Sequence, residues 1–227
     1  DGFRLFGGSS AVSPTSQEDL PGRAVSSGGD FNGDGFADLL VGAPGYSLGD
    51  GIGYIVFGKA SGFQATQNLG ELDGTDGIRF TADNRDNISR TINSVGDVNG
   101  DGFDDVIVSA PISNFQGRLN QGAHYVLFGH EDFVGASVDL DLLDASQGFR
   151  IDGAQAQLFD QSNASGGGDV NGDGFDDIII GATTSITNTV RTGDATVVFG
   201  AADAPANAVL DLADLDASEG ILISGLA

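Results

Sequence analysis

Three short apolar runs punctuate the chain: Leu39-Leu40-Val41, Val106-Ile107-Val108 and Ile178-Ile179-Ile180. Each is too short for a helix and rich in residues that suit a pleated surface, so each predicts a buried strand. A second series, Tyr54–Phe57, Tyr125–Phe128 and Thr196–Phe199, predicts strands that stop at a glycine, at Gly58, Gly129 and Gly200. Ahead of the first apolar run lies a small polar strand, "GRAVSSGGD", with counterparts ahead of the other two. A last strand, "GIRF", "GFRI" or "GILI", follows a loop that reads Leu-x-x-Leu-Asp at Leu69–Asp73, Leu140–Asp144 and Leu212–Asp216. No segment shows a convincing 3.6-residue period.

These signals recur at a fixed interval. Gly58, Gly129 and Gly200 are 71 residues apart, and Gly77, Gly148 and Gly220 are 71 and 72 apart. The chain therefore reads as repeats of about 70 residues, a period at which repeat architectures must be considered first. Four short strands in such a period predict an all-β fold of β-propeller blades, each a four-stranded antiparallel sheet. The expected organisation is one propeller segment over 1–227. Residues 1–7 read as the last strand of a preceding blade, because "DGFRLFG" matches the tail of the repeat. Three complete blades follow at 8–81, 82–153 and 154–227. Three are fewer than a closed ring uses, so the segment is expected to belong to a larger propeller or array.

In front of each apolar run sits an acidic loop: "GDFNGDGFAD", "GDVNGDGFDD" and "GDVNGDGFDD". Alternate side chains of a tightly curled loop converge on one point. The first loop offers Asp30, Asn32, Asp34 and Asp38 at positions one, three, five and nine, with the Phe36 carbonyl at position seven. The second offers Asp97, Asn99, Asp101, the Phe103 carbonyl and Asp105; the third Asp169, Asn171, Asp173, the Phe175 carbonyl and Asp177. An all-oxygen set of this kind suits a hard cation, and irregular coordination favours calcium over magnesium. About three Ca2+ ions, one per blade, are expected. The loop is not an EF-hand, since position twelve is Val41, Val108 or Ile180 instead of glutamate, and a strand follows instead of a helix. Asp-Gly and Asn-Gly pairs also make plain turns, but three copies with one ligand spacing argue against that reading.

The loops and the strands after them resemble FG-GAP repeats, the blades of the integrin α-subunit propeller and of many long bacterial surface proteins. The phrases that carry the resemblance are "GDFNGDGFADLLVGAP" and "GDVNGDGFDDVIVSAP" with "YIVFG" and "YVLFG" after them. The resemblance covers essentially the whole chain, and its period is closer to the bacterial, extracellular members. It implies that the acidic loop joins the first two strands of a blade and binds calcium. The chain departs from the pattern before the loop, where Pro21-Gly22, Ser89-Arg90 and Asp160-Gln161 stand near the usual Phe-Gly. It departs again after the loop, at Ser109-Ala110-Pro111 and Gly181-Ala182-Thr183.

Composition narrows the function classes. Net charge is -24, and Lys59 is the only lysine among 9 cationic side chains. Such a surface repels nucleic acid and anionic lipid. No apolar run approaches membrane-spanning length, so neither nucleic-acid binding nor membrane insertion is expected. Cysteine is absent, which excludes disulfides and thiolate metal sites. His124 and His130 do not recur and read as surface or strand-end residues. Asp104 and Asp176, beside the loop ligands, read as solvated. No serine sits in a Gly-x-Ser-x-Gly elbow, so no catalytic residue is assigned and no enzyme is expected. Arg4, Arg79 and Arg150 share one register and suggest a repeated salt bridge. Asn87-Ile88-Ser89 and Asn163-Ala164-Ser165 match the N-glycosylation pattern.

The resemblance makes the expected function a non-catalytic, calcium-binding module of a secreted or cell-surface protein, acting in adhesion, matrix or surface assembly. The alternative is an accessory propeller of an extracellular hydrolase or lyase whose catalytic residues lie elsewhere. A third reading is a lectin-like binder with the cation in its ligand site. Expected partners are further FG-GAP blades in the same protein, other copies of the chain, and an extracellular protein or glycan ligand.

Overall fold

The computed structural model describes residues 2–7, 21–45, 50–82, 87–113, 121–131, 135–154, 163–182, 186–187, 190–191 and 193–224. The expected Asp160-Gln161 site lies outside them. The first strand, β1 (Arg4–Phe6), precedes three sheets of one design. In the first unit β2 (Ala24–Gly29), β3 (Asp38–Ala43), β4 (Ile52–Val56) and β6 (Gly77–Thr81) run antiparallel in that order. A short strand, β5 (Thr66–Asn68), leaves the unit between β4 and β6. The second unit repeats this with β7 (Ile92–Gly96), β8 (Asp105–Ala110), β9 (Ala123–Leu127) and β11 (Gly148–Asp152), and its short strand is β10 (Ser137–Asp139). The third has β12 (Asn163–Gly168), β13 (Asp177–Ala182), β16 (Asp194–Val198) and β18 (Gly220–Ser224), with β17 (Val209–Asp211) as its short strand. A two-stranded ribbon, β14 (Ile186–Thr187) and β15 (Val190–Arg191), projects from the third unit. Each sheet is a propeller blade, as the sequence pattern predicts.

The Leu-x-x-Leu-Asp segment, read from sequence as a loop, does more than connect. Its strand crosses to the preceding sheet and pairs in parallel with that sheet's last strand. Thus β10 lies on β6, with Ser137, Val138 and Asp139 opposite Arg79, Phe80 and Thr81. In the same way β17 lies on β11 and β5 on β1. The first two blades are therefore five-stranded, each closed by a strap from the unit after it. The straps β5 and β10 each end in a single 3-10 turn. Asn68 Oδ1 accepts from the Gly70 amide at 3.0 Å, and Asp139 Oδ1 accepts from the Asp141 amide at 3.1 Å. The leading leucine of that turn, Leu69 or Leu140, is buried.

Strand alternation sends successive residues to opposite neighbours. Leu40, Ile55, Ile78 and Phe80 of the first blade meet Val106, Val108, Tyr125 and Leu127 of the second in one cluster. The residues between them, Ile107, Val126, Phe149 and Ile151, turn to Ala164, Ile178, Ile180 and Val198 of the third. A third cluster, with Val41, Tyr54 and Val56, occupies the other side of the first blade and takes Leu69, Leu72 and Leu5. The core therefore lies between blades, and this fixes each acidic loop against its neighbour's.

Candidate metal centre

A β-bulge ends the first strand of every blade, between Ser27 and Gly29, Ser94 and Gly96, and Gly166 and Gly168. The chain then curls through the acidic loop. Two glycines in each loop have positive φ, 72° and 86° at Gly33 and Gly35, which side chains with a Cβ rarely adopt. The curl turns the position-one, -three and -five side chains inward onto loop amides. In the second loop Asp97 Oδ1 accepts from the Gly100 and Asp101 amides at 2.7 and 3.1 Å, and Oδ2 accepts from Gly102 at 2.8 Å. Asn99 Oδ1 accepts from Asp101 N at 3.0 Å, and Asp101 Oδ1 from Phe103 N at 3.0 Å. The third loop repeats every one of these bonds through Asp169, Asn171 and Asp173. The first keeps three of them through Asp30, Asn32 and Asp34, with Asp30 Oδ2 on the Gly35 amide at 2.9 Å, but lacks the two bonds to the position-one Oδ1.

The position-nine aspartates are placed differently. Asp38, Asp105 and Asp177 are fully buried at the start of the second strand. Each carboxylate ties the loop's second residue to the Phe-Gly glycine. Asp105 accepts from Val98 N and Gly129 N, both at 2.9 Å; Asp38 from Phe31 N and Gly58 N at 3.0 and 2.7 Å; Asp177 from Val170 N and Gly200 N at 2.7 and 3.0 Å. Burial pushes the Asp105 carboxyl up to about 8 and that of Asp38 to about 6, against the amide bonds, with the neighbouring loop aspartates adding to the rise. Removing solvent from a carboxylate favours its neutral form, and a nearby cation reverses that preference.

This explains the Phe-Gly signal. A Cβ on Gly129 would lie 2.5 Å from the Asp104 carbonyl and 2.6 Å from the Phe31 carbonyl, so only glycine brings its amide to Asp105.

The loops also fit a divalent cation on one structural ground: Asp30 Oδ1 is buried and accepts no hydrogen bond among the described residues. A buried, unpaired carboxylate oxygen is costly unless a charge offsets it. Asp30, Asn32, Asp34 and the Phe36 carbonyl, with their counterparts, would hold the ion, and the position-nine carboxylates have lone pairs left to join them. As they stand, no three acidic or histidine side chains among the described residues converge into a ready metal cluster.

Three expectations are corrected. Asp104 and Asp176 are not solvated; they clamp the preceding loop. Asp104 Oδ2 accepts from the Asp30 amide at 2.7 Å while its own amide donates to the Asp30 carbonyl at 3.3 Å. Asp176 does the same to Asp97, at 3.0 Å in both directions. Nor is His124 a surface residue. It is fully buried in β9, and desolvation lowers its pKa to about 3, so the imidazole is neutral. Among the described residues the arginine row does not form one repeated salt bridge. Arg150 pairs with Asp152 at 2.7 Å, but Thr81 stands where Asp152 would be needed beside Arg79, whose guanidinium donates to the Gly70 carbonyl at 3.4 Å. Of the two glycosylation patterns, the first has its Ser89 fully buried.

A family model described as "FG-GAP repeat" matches residues 21–56, 90–127 and 162–198, one match per blade. Among relatives, integrin alpha-4 of Xenopus laevis is 35% identical over 159 residues, covering 69% of this chain and 14% of its own length. Integrin alpha-PS5 of Drosophila melanogaster is 34% identical over 158 residues, 67% of this chain and 14% of its own. Integrin alpha pat-2 of Caenorhabditis briggsae is 30% identical over 193 residues, 81% of this chain and 15% of its own. The chain thus spans about one-seventh of the length of these relatives. With its blades, acidic loops and three matched repeats, the chain belongs to the FG-GAP repeat family and is similar to integrin α chains.

Proposed function

We propose that this chain is a non-catalytic, calcium-stabilised propeller module of a secreted or cell-surface protein, acting in adhesion, matrix or surface assembly. The observation that carries the calcium reading is the threefold inward turn of an Asp-x-Asn-x-Asp set around one backbone curl. The buried, unpaired Asp30 Oδ1 supports it. Similarity to integrin α chains supports the adhesion role and an extracellular setting. The ligand class that fits is an extracellular protein or glycan.

Calcium binding to the folded form alone raises stability by mass action, and extracellular calcium modules commonly bind at about 10⁻⁴–10⁻³ M. Thermal melting in chelator, in millimolar calcium and in millimolar magnesium is the test. The midpoint rises by several degrees in calcium and less in magnesium. Equal midpoints in all three solutions would overturn the cation assignment.

A further inference from the structure

Every acidic loop carries an Asn-Gly pair at positions three and four: Asn32-Gly33, Asn99-Gly100 and Asn171-Gly172. Such pairs are open to deamidation, because glycine has no Cβ to obstruct attack by its own amide nitrogen on the asparagine side chain. The folded loop decides whether that nitrogen is available. It must first surrender its proton, and a carboxylate bonded to it opposes the negative charge that this leaves.

In two of the loops the nitrogen is held. Gly100 N donates to Asp97 Oδ1 at 2.7 Å, and Gly172 N to Asp169 Oδ1 at 2.6 Å. In the first loop the corresponding oxygen, Asp30 Oδ1, is buried and accepts no hydrogen bond among the described residues, so Gly33 N lacks this restraint. The Asn32 side chain is also held more loosely. Its Nδ2 lies 3.3 Å from Asp34 Oδ2, against 2.8 and 2.7 Å for the equivalent bonds of Asn99 and Asn171. Its Oδ1 accepts from the Asp34 amide at 3.2 Å, against 3.0 and 2.9 Å. Water reaches the pair, since Gly33 is exposed and Asn32 half-buried.

We infer that Asn32 is a site of spontaneous modification, deamidating in the folded, metal-free chain ahead of Asn99 and Asn171. The deprotonated Gly33 nitrogen attacks the side-chain carbonyl carbon of Asn32. A new N–C bond forms, the bond from that carbon to Nδ2 breaks, and the amino group takes up a proton and leaves as ammonia. Water then adds to either carbonyl of the cyclic imide and opens it to aspartate or isoaspartate. Both products put a new negative charge at position three, and isoaspartate also lengthens the backbone curl by a methylene. That curl carries the Asp30 amide and carbonyl to Asp104, so isoaspartate at position 32 weakens the junction of the first two blades. The inference rests on the loop's own hydrogen bonds and not on the cation reading.

The test incubates the intact chain in chelator at mildly alkaline pH and scores each pair by peptide mapping and isoaspartate-specific methylation. Asn32 converts about tenfold or more faster than Asn99 or Asn171, the factor expected for one charge-assisted hydrogen bond. In denaturing urea the three pairs, chemically alike, convert at similar rates. Asp97→Ala releases Gly100 N and raises Asn99 towards the rate of Asn32. Hydrogen exchange faster at the Gly33 amide than at those of Gly100 and Gly172 reads the same restraint with no variant. The isoaspartate fraction unfolds at lower urea than the fresh chain. Ring cover makes the opposite forecast: Phe103 lies against Gly33 and Phe175 against Gly100, while nothing described lies within 4 Å of a Cβ placed on Gly172. Asn171 converting first, or three equal rates in the folded chain, overturns the proposal.

Discussion

At the scale of single residues, the acidic loop is two devices in one curl. Positions one, three and five point inward to one another's amides, and position eight reaches out to the preceding blade. The inward turn of these positions was legible because their alternate spacing lies within one short segment. Position eight was not, because its partner, Asp30 for Asp104, lies 74 residues away and a doubled aspartate looks like ordinary surface charge. Asp104→Ala removes a partly buried charge-assisted bond, so we expect a loss of about 1–3 kcal/mol. Asp104→Asn keeps an acceptor and should recover part of it; equilibrium unfolding in urea measures both. The burial of His124 was missed for the same reason, since nothing local says that this strand-end position is covered. Its pKa of about 3 in the folded chain lies below the ordinary 6.5. Between these values the unfolded chain binds the extra proton. The stabilisation from keeping the ring neutral is whole above about pH 6.5 and is lost as pH falls towards 3, at up to about 1.4 kcal/mol per pH unit. His124→Gln should flatten the dependence of unfolding free energy on pH between 7 and 4.5. Parallel slopes for the two proteins would contradict the burial argument.

At the scale of elements, three of the four antiparallel strands were readable because each couples an apolar run to a turn signal, and the small polar first strand by its place ahead of the acidic loop. The strap was not. Three residues such as Ser137-Val138-Asp139 are too few to show a period, and parallel pairing with β6 depends on a strand more than fifty residues earlier. What the sequence did display, the Leu-x-x-Leu-Asp phrase, is the anchor that follows the strap. Leu140 is 2% exposed and packs in the cluster between the first and second blades, although it belongs to a single 3-10 turn. Leu140→Ala should therefore cost what a core leucine costs, about 2–5 kcal/mol. The exposed Leu142→Ala, one side of the same turn, should cost under about 0.5 kcal/mol. Comparable losses from both, in thermal or denaturant unfolding, would show that the turn and not the anchor carries the effect.

At the scale of the whole molecule, the blades are held in series by burial, by straps and by the position-eight clamps, while each acidic loop keeps its own set of inward-turned side chains. Binding and stability should therefore separate. Asp34→Ala, Asp101→Ala and Asp173→Ala each remove the central side chain of one loop. Each is expected to lower calcium stoichiometry by about one, read by isothermal titration or equilibrium dialysis, with the remaining sites still filling. Loss of all binding from one substitution would make the three loops a single cooperative block. Repeat proteins whose units touch only their neighbours behave in the separable way.

The strap has a consequence for inheritance. Because it belongs to one repeat and completes the sheet of the one before, the sequence period and the folded sheet are out of step by most of a blade. The first sheet draws on residues from Ala24 to Asp139, far more than one period of about 71. An in-frame deletion or duplication of one period, cut at any point, still delivers a strap to an edge of matching register. Gene length could then change by whole repeats without leaving a sheet unfinished inside the array.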